Sequence, residues 1–201
     1  MKRLSLAVLI ILLLLARCSS RYVGDLVGEK RQGKGTCTYA NGDVYEGEWK
    51  DNMRHGFGVC FYSNGDMYRG QWQNDLRHGK GSCTYSSGEH YQGQWQNDKR
   101  HGRGTLTSDI KSNCYKSRYS GNWKDDQFDG NGEFVYCDGS RYTGSWSGGM
   151  RNGSGTMNYE NGNKYVGRWK DDREHGRGTL YNSNGKEIRS GYWKSGIYFG
   201  N

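Results

Sequence analysis

The chain has 201 residues, 33 of them glycine and none proline, and a formal net charge of +8. Beyond the first 16 residues it holds too little Leu, Ile and Val for a conventional two-layer globule. Its 7 Trp and 16 Tyr are too many large rings for a flexible linker. Lys2, Arg3, Arg17 and Arg21 are among the basic residues; without them the net charge falls to +4, which calls for no nucleic acid.

Residues 1–20 read as a targeting segment. Lys2 and Arg3 precede a run of 13 residues, Leu4 to Ala16, whose only polar member is Ser5. That suits a signal-peptide core and falls short of the ~20 residues of an ordinary spanning helix. Cleavage after Ser20 would leave Cys18 and Ser20 at the small-residue positions. Two alternatives stay open: an uncleaved N-terminal membrane anchor, extended by Arg17 reaching the headgroups, and a lipoprotein acylated on Cys18. The signal-peptide and anchor readings place the protein in the secretory pathway or at a membrane, and the lipoprotein reading tethers it by lipid.

From Tyr22 onward one unit repeats. Copies of Tyr-x-Gly-x-Trp begin at Tyr22, Tyr45, Tyr68, Tyr91, Tyr119, Tyr142 and Tyr165, mostly 23 residues apart; the fourth unit carries five extra residues. The first copy is degenerate, with Asp25-Leu26 in place of x-Trp. Residues 22–188 thus hold seven units, and 189–201 a partial capping unit with Gly191 and Trp193 in phase. Trp49, Trp72, Trp95, Trp123, Trp146, Trp169 and Trp193 all fall at one repeat position, a structural aromatic column. Within a unit, Tyr45, Gly47 and Trp49 alternate along one strand face. Asp51-Asn52 is a turn, Gly56 and Gly58 allow close backbone approach, and a second strand begins at Val59. Ser63-Asn64-Gly65-Asp66 turns back toward Tyr68. One face is expected to carry Tyr, Trp and small apolar groups, the other Glu, Gln, Arg and Thr.

The pattern resembles the MORN repeat (membrane occupation and recognition nexus), whose unit is close to Tyr-x-Gly-x-Trp-x-x-Gly-x-x-His-Gly-x-Gly. Tyr68-Arg69-Gly70-Gln71-Trp72 followed by Arg77-His78-Gly79-Lys80-Gly81 matches it. The family's Gly after Trp-x-x is replaced by Asn52, Asp75, Asp98, Asp126 and Asp172, and kept at Gly149; Asn and Asp also tolerate turn geometry. The resemblance implies an all-β fold: an elongated, single-layer, twisted antiparallel sheet of tandem β-hairpins.

His55, His78, His101 and His175 share a repeat position, so they recur about 10 Å apart, far beyond the reach of a shared zinc ion. Cys37, Cys60 and Cys83 recur with the same step and are expected to be free thiols. Cys114 and Cys137 lie beside the insertion, where a bond is not the favoured reading. Gly33-Lys34-Gly35-Thr36, Gly79-Lys80-Gly81-Ser82 and Gly102-Arg103-Gly104-Thr105 lack the spacing and the following helix of a phosphate loop. No residue stands out from its column as nucleophile, acid or base, so neither an enzyme, a cofactor nor a metal is expected.

Arg31, Arg54, Arg77, Arg100 and Arg151 form one basic column, and Lys34, Lys80, Arg103 and Arg177 another, three residues on. Together they are expected to make a basic stripe along one edge of the sheet. It reads either as a contact for lipid phosphates or an acidic partner, or as a solvated edge whose arginines pair with Asp75, Asp98 and their equivalents. The expected function is a non-enzymatic scaffold for protein–protein interaction at or near a membrane, through a protein partner or self-association. Binding of anionic phospholipid through the stripe is the alternative, and a regulatory module for an enzyme on another chain a second. No nucleic acid or small-molecule substrate is expected.

Overall fold

The computed structural model describes residues 20–108 and 117–201. Among them sixteen strands join in chain order into one antiparallel sheet. Each unit supplies a hairpin, and each hairpin pairs with the next. At a strand spacing of ~4.8 Å the sixteen strands extend about 70 Å. The targeting segment and the insertion in the fourth unit, with Cys18 and Cys114, lie outside the described residues. No helix among the described residues is long and apolar enough to cross a membrane.

The first unit contributes β1 (Arg21–Val27) and β2 (Lys30–Thr38), the second β3 (Val44–Lys50) and β4 (Met53–Phe61), the third β5 (Met67–Gln73) and β6 (Leu76–Thr84), the fourth β7 (Glu89–Gln96) and β8 (Lys99–Ser108). Between β3 and β4, Asp51 and Asn52 have φ of 49° and 69°. Both values are left-handed, as a two-residue type I′ hairpin requires. At the other end of the unit Tyr62 and Asp66 close a longer turn, with Gly65 donating to the Tyr62 carbonyl at 2.9 Å.

The second strand is longer than the sequence suggested. β4 begins at Met53, not Val59, because the Gly56 segment is a bulge inside a strand rather than a loop. Gly56 has φ 55°, and the next backbone N–H, of Phe57, is satisfied by the Glu48 carboxylate at 3.0 Å. Gln71 does the same for Lys80 and Gln94 for Arg103, both at 2.7 Å. The segments that superficially resemble phosphate loops are therefore strand segments.

The core is a single file of rings on one face. Tyr45, Tyr68, Tyr91, Tyr119, Tyr142 and Tyr165 are at most 1% exposed, and the Trp column is 3–6% exposed. Each Tyr meets the edge of two Trp rings. Tyr45 lies 5.1 Å from Trp49 in its own unit and 5.3 Å from Trp72 in the next, at interplanar angles of 89° and 83°. Edge-to-face contact is the arrangement ring quadrupoles favour. The Trp indole N–H donates across the joint, from Trp72 to the Gly58 carbonyl at 3.3 Å. Gly47 and Gly58 face each other, and a Cβ on either would run into the Tyr45 ring. This contact explains why the strands carry glycine where a sheet would otherwise weaken.

Candidate functional site

The two basic columns do not form one stripe. Arg54 sits opposite Trp49, and its guanidinium lies 4.2 Å from the Trp72 ring of the following unit. It is therefore on the aromatic face. Lys80 sits opposite Gln94, on the outer face. The expectation of a single stripe, with Arg on the face away from the rings, is corrected here. The strand runs unbroken to Met53, so Arg54 acquires a defined side, and the bulge sends Lys80 and its equivalents to the other.

On the aromatic face the arginines are tied down. Arg54 Nε donates to Asp75 at 3.1 Å, its Nη2 donates to the Asp75 carbonyl at 2.7 Å, and its backbone N–H donates to the same carboxylate at 2.9 Å. Arg77 with Asp98, Arg100 with Asp126, and Arg151 with Asp172 repeat all three bonds. In every case the acid belongs to the next hairpin. Burial alone would lower the Arg54 and Arg77 guanidinium pKa, but Tyr39 or Tyr62 and the partner Asp outweigh it and hold each above its ordinary value. Arg31 has Asn52 in the acid's place and lies 4.4 Å over Trp49.

Beside this row runs a column of half-buried tyrosines, Tyr39, Tyr62, Tyr85, Tyr136 and Tyr159, packed against the core. Burial pushes Tyr39 up to about 12. Between the tyrosines and the Arg–Asp pairs lies an open trough of about 750 Å³ whose lining includes Tyr62, Tyr85, Arg54, Arg77 and Asp66. Cys83 lies in its floor; Cys37, Cys60 and Cys83 are free and buried, and burial raises the Cys60 and Cys83 thiol pKa. Neutral buried thiols are packing groups, not nucleophiles. Cys137 is disulfide-bonded, which corrects the expectation of an unbonded thiol there.

The outer face is different. Lys34, Lys80, Arg103 and Arg177 are exposed and carry none of the ion pairs found among the described residues. His55 and His101 face Glu48 and Gln94 across the bulge. The Nδ1 atoms of His55, His78 and His101 are buried without a partner. No group of His, Cys, Asp and Glu among the described residues could hold a metal ion. Sequence reasoning missed the bulge acceptors Glu48, Gln71 and Gln94; the signal was a Glu or Gln immediately before the Trp.

The MORN repeat family model matches seven times, at residues 22–44, 45–67, 68–90, 91–110, 119–141, 142–164 and 165–187. No curated protein sequence matches the chain. Among solved structures, the chain is similar to the TCP domain of Drosophila melanogaster SAS-4 in complex with a proline-rich motif of Ana2. That similarity has 16% identity and a TM-score of 0.50, and covers 96% of each chain. A second similarity, to the wild-type TCP10 domain of Danio rerio CPAP, has 11% identity and a TM-score of 0.24, and covers 80% of this chain and 90% of that one. The first similarity, at a TM-score of 0.50, is one of fold alone. Seven tandem matches spanning most of the sequence, on the hairpins that carry the Tyr–Trp file, settle the family: the chain belongs to the MORN repeat family.

Proposed function

We propose that this array is a non-enzymatic scaffold that holds an extended, proline-rich segment of a partner protein in the tyrosine trough of its aromatic face. The observation that carries this reading is the trough itself, where Tyr62 and Tyr85 of successive units stand beside the fixed Arg–Asp pairs. Hairpins recur about every 9.6 Å. A polyproline II segment turns once per three residues and advances about 9.3 Å. Its successive turns would therefore meet Tyr39, Tyr62 and Tyr85 in the same way, and aromatic-lined grooves are a general means of gripping such segments. The SAS-4 TCP domain, similar in fold, is in complex with a proline-rich motif of Ana2. Residues 1–20 would bring the array into the secretory pathway or to a membrane.

Titration with a labelled nine-residue polyproline peptide tests the reading, at low and high salt. Binding that persists in salt and weakens at least tenfold in Tyr62→Ala/Tyr85→Ala supports it. Equal binding by that variant overturns it. Binding of anionic phospholipid remains the second reading, now confined to the outer face, because the aromatic-face arginines are engaged. Co-sedimentation with phosphatidylserine vesicles, lost in salt and in Lys80→Glu/Arg103→Glu, would favour it over the peptide.

A further inference from the structure

We infer that the outer face of the first four units is a self-complementary interface for a second copy of this chain. The outer-face side chains flank a floor of paired glycines in a regular order. β1 presents Val23 and Asp25, β2 Lys34 and Thr36, β3 Glu46 and Glu48, and β4 Phe57 and Val59. The sequence continues with Arg69 and Gln71 on β5, Lys80 and Ser82 on β6, Gln92 and Gln94 on β7, and Arg103 and Thr105 on β8. Acids occupy β1 and β3, with Lys34 between them on β2, and unpaired cations occupy β5, β6 and β8. Between them Phe57 is 46% exposed, with Arg69 stacked 5.6 Å over it. Adjoining troughs of about 630 and 610 Å³ share Phe57 and Arg69.

A two-fold axis between β4 and β5, parallel to the strands, reverses the strand order of a facing copy. β1 then lies over the partner's β8, β2 over β7, β3 over β6 and β4 over β5. In that register Asp25 meets a copy of Arg103 and Glu48 meets a copy of Lys80. Lys34 faces Gln94, Glu46 faces Ser82, and Arg69 faces Val59. No like charges coincide. The next register, centred on β4, sets Lys34 against Lys80 and is disfavoured. A surface that carries both signs in mirrored order is what an isologous contact requires, whereas an acidic peptide would meet repulsion at Asp25, Glu46 and Glu48. Eight strands cover roughly 750 Å² per copy, from ~4.8 Å spacing and about 20 Å of strand, close to the ~800 Å² per partner of a standard stable interface. The two tyrosine troughs would face outward, so the dimer would be a bivalent scaffold.

Sedimentation equilibrium of the full chain at micromolar concentrations tests the inference. Wild type should be a dimer that weakens with salt. Lys80→Glu/Arg103→Glu should raise the dissociation constant at least tenfold while retaining native circular dichroism, since apposed like charges are strongly unfavourable. Asp25→Asn/Glu48→Gln, which keeps an acceptor for the Lys34 and Phe57 backbone N–H groups, should also weaken the dimer. An equimolar mixture of the two variants should dimerise more tightly than either alone, because one set of opposite-charge pairs reappears in the heterodimer. A monomeric wild type, or a dimer indifferent to both changes, overturns the inference. Two monomeric variants that stay monomeric on mixing also overturn it.

Discussion

Two joints of the array solve one packing problem in different ways. Between the third and fourth units, Arg77 lies 4.3 Å over Trp95 and holds Asp98 with three hydrogen bonds. Between the fifth and sixth, Phe128 takes the arginine's place. Its ring stacks 3.8 Å from Tyr119 and 5.3 Å from Trp146, and Gly149 stands where the acid would be. The last joint also has Gly in the acid's place, Gly196, with Glu174 rather than a ring at the arginine's position. Asp, or Asn52 at the first joint, thus occurs where an Arg reaches across, and Gly returns where none does. The departure from the family's usual Gly is an inter-unit clamp: the acid's side chain binds the previous unit while its left-handed backbone still makes the turn. Damage should therefore propagate between neighbouring hairpins, as expected of a quasi-one-dimensional array.

The largest expected effect is loss of a ring shared by two units. Trp123 touches Tyr91, Tyr119 and Phe128 and is covered by Arg100. Trp193 touches Tyr165 and Tyr198, with no arginine over it. Trp123→Ala should cost about 3–5 kcal/mol and Trp193→Ala clearly less, read by urea unfolding. Equal losses would mean that the terminal joint is as well supported as a central one.

Exchanging one joint's solution for the other's is next. Phe128→Arg removes the stacked ring and adds a cation with no carboxylate to receive it, so it should destabilise by about 1–2 kcal/mol. Adding Gly149→Asp should recover about 1 kcal/mol of that, a coupling of the size neighbouring residues show. The smallest effect per residue is on pH dependence. Burial raises the hydroxyls of Tyr45, Tyr68, Tyr91, Tyr119, Tyr142 and Tyr165 above their ordinary value of 10.0, Tyr142 to about 12. Above pH 10 the unfolded chain releases these protons first. The stability they confer is complete below pH 10 and is lost as pH rises through the raised values. The urea midpoint should be flat from pH 7 to about 8, decline slightly as the Cys60 and Cys83 thiols ionise in the unfolded chain, and fall steeply beyond 10, less steeply in Tyr142→Phe.

The hairpins and the ring file were legible in the sequence because a strict period places Tyr, Gly and Trp on alternate strand positions. The side taken by Arg54 and its equivalents was not. Reading Met53 to Gly58 as turn and loop left those arginines without a face, whereas the Gly56 bulge, capped by Glu48, keeps the segment in the strand. The clamp was half visible, since Asp75 and Asp98 were named as partners. Its contact with the next Trp depends on how consecutive hairpins stack, which no single unit encodes. For the same reason an array with +8 formal charge looked like one basic stripe, although one of its two columns is spent on internal contacts.

A double-mutant cycle on Arg77 and Asp98 tests the clamp most directly. Sequence alone predicts near-neutral substitution of Arg54, Arg77 and Arg100 as exposed charges. The Arg77 side chain, however, is 20% exposed and covers Trp95, so Arg77→Ala should cost about 1.5–3 kcal/mol through lost packing and hydrogen bonds. Asp98 is 42% exposed, so its own truncation should cost less, and Arg77→Lys should not restore the bidentate contact. Measured by urea unfolding of the full chain, the account predicts a favourable coupling near 1 kcal/mol between the two sites. A neutral Arg77→Ala with no coupling to Asp98→Ala would contradict it.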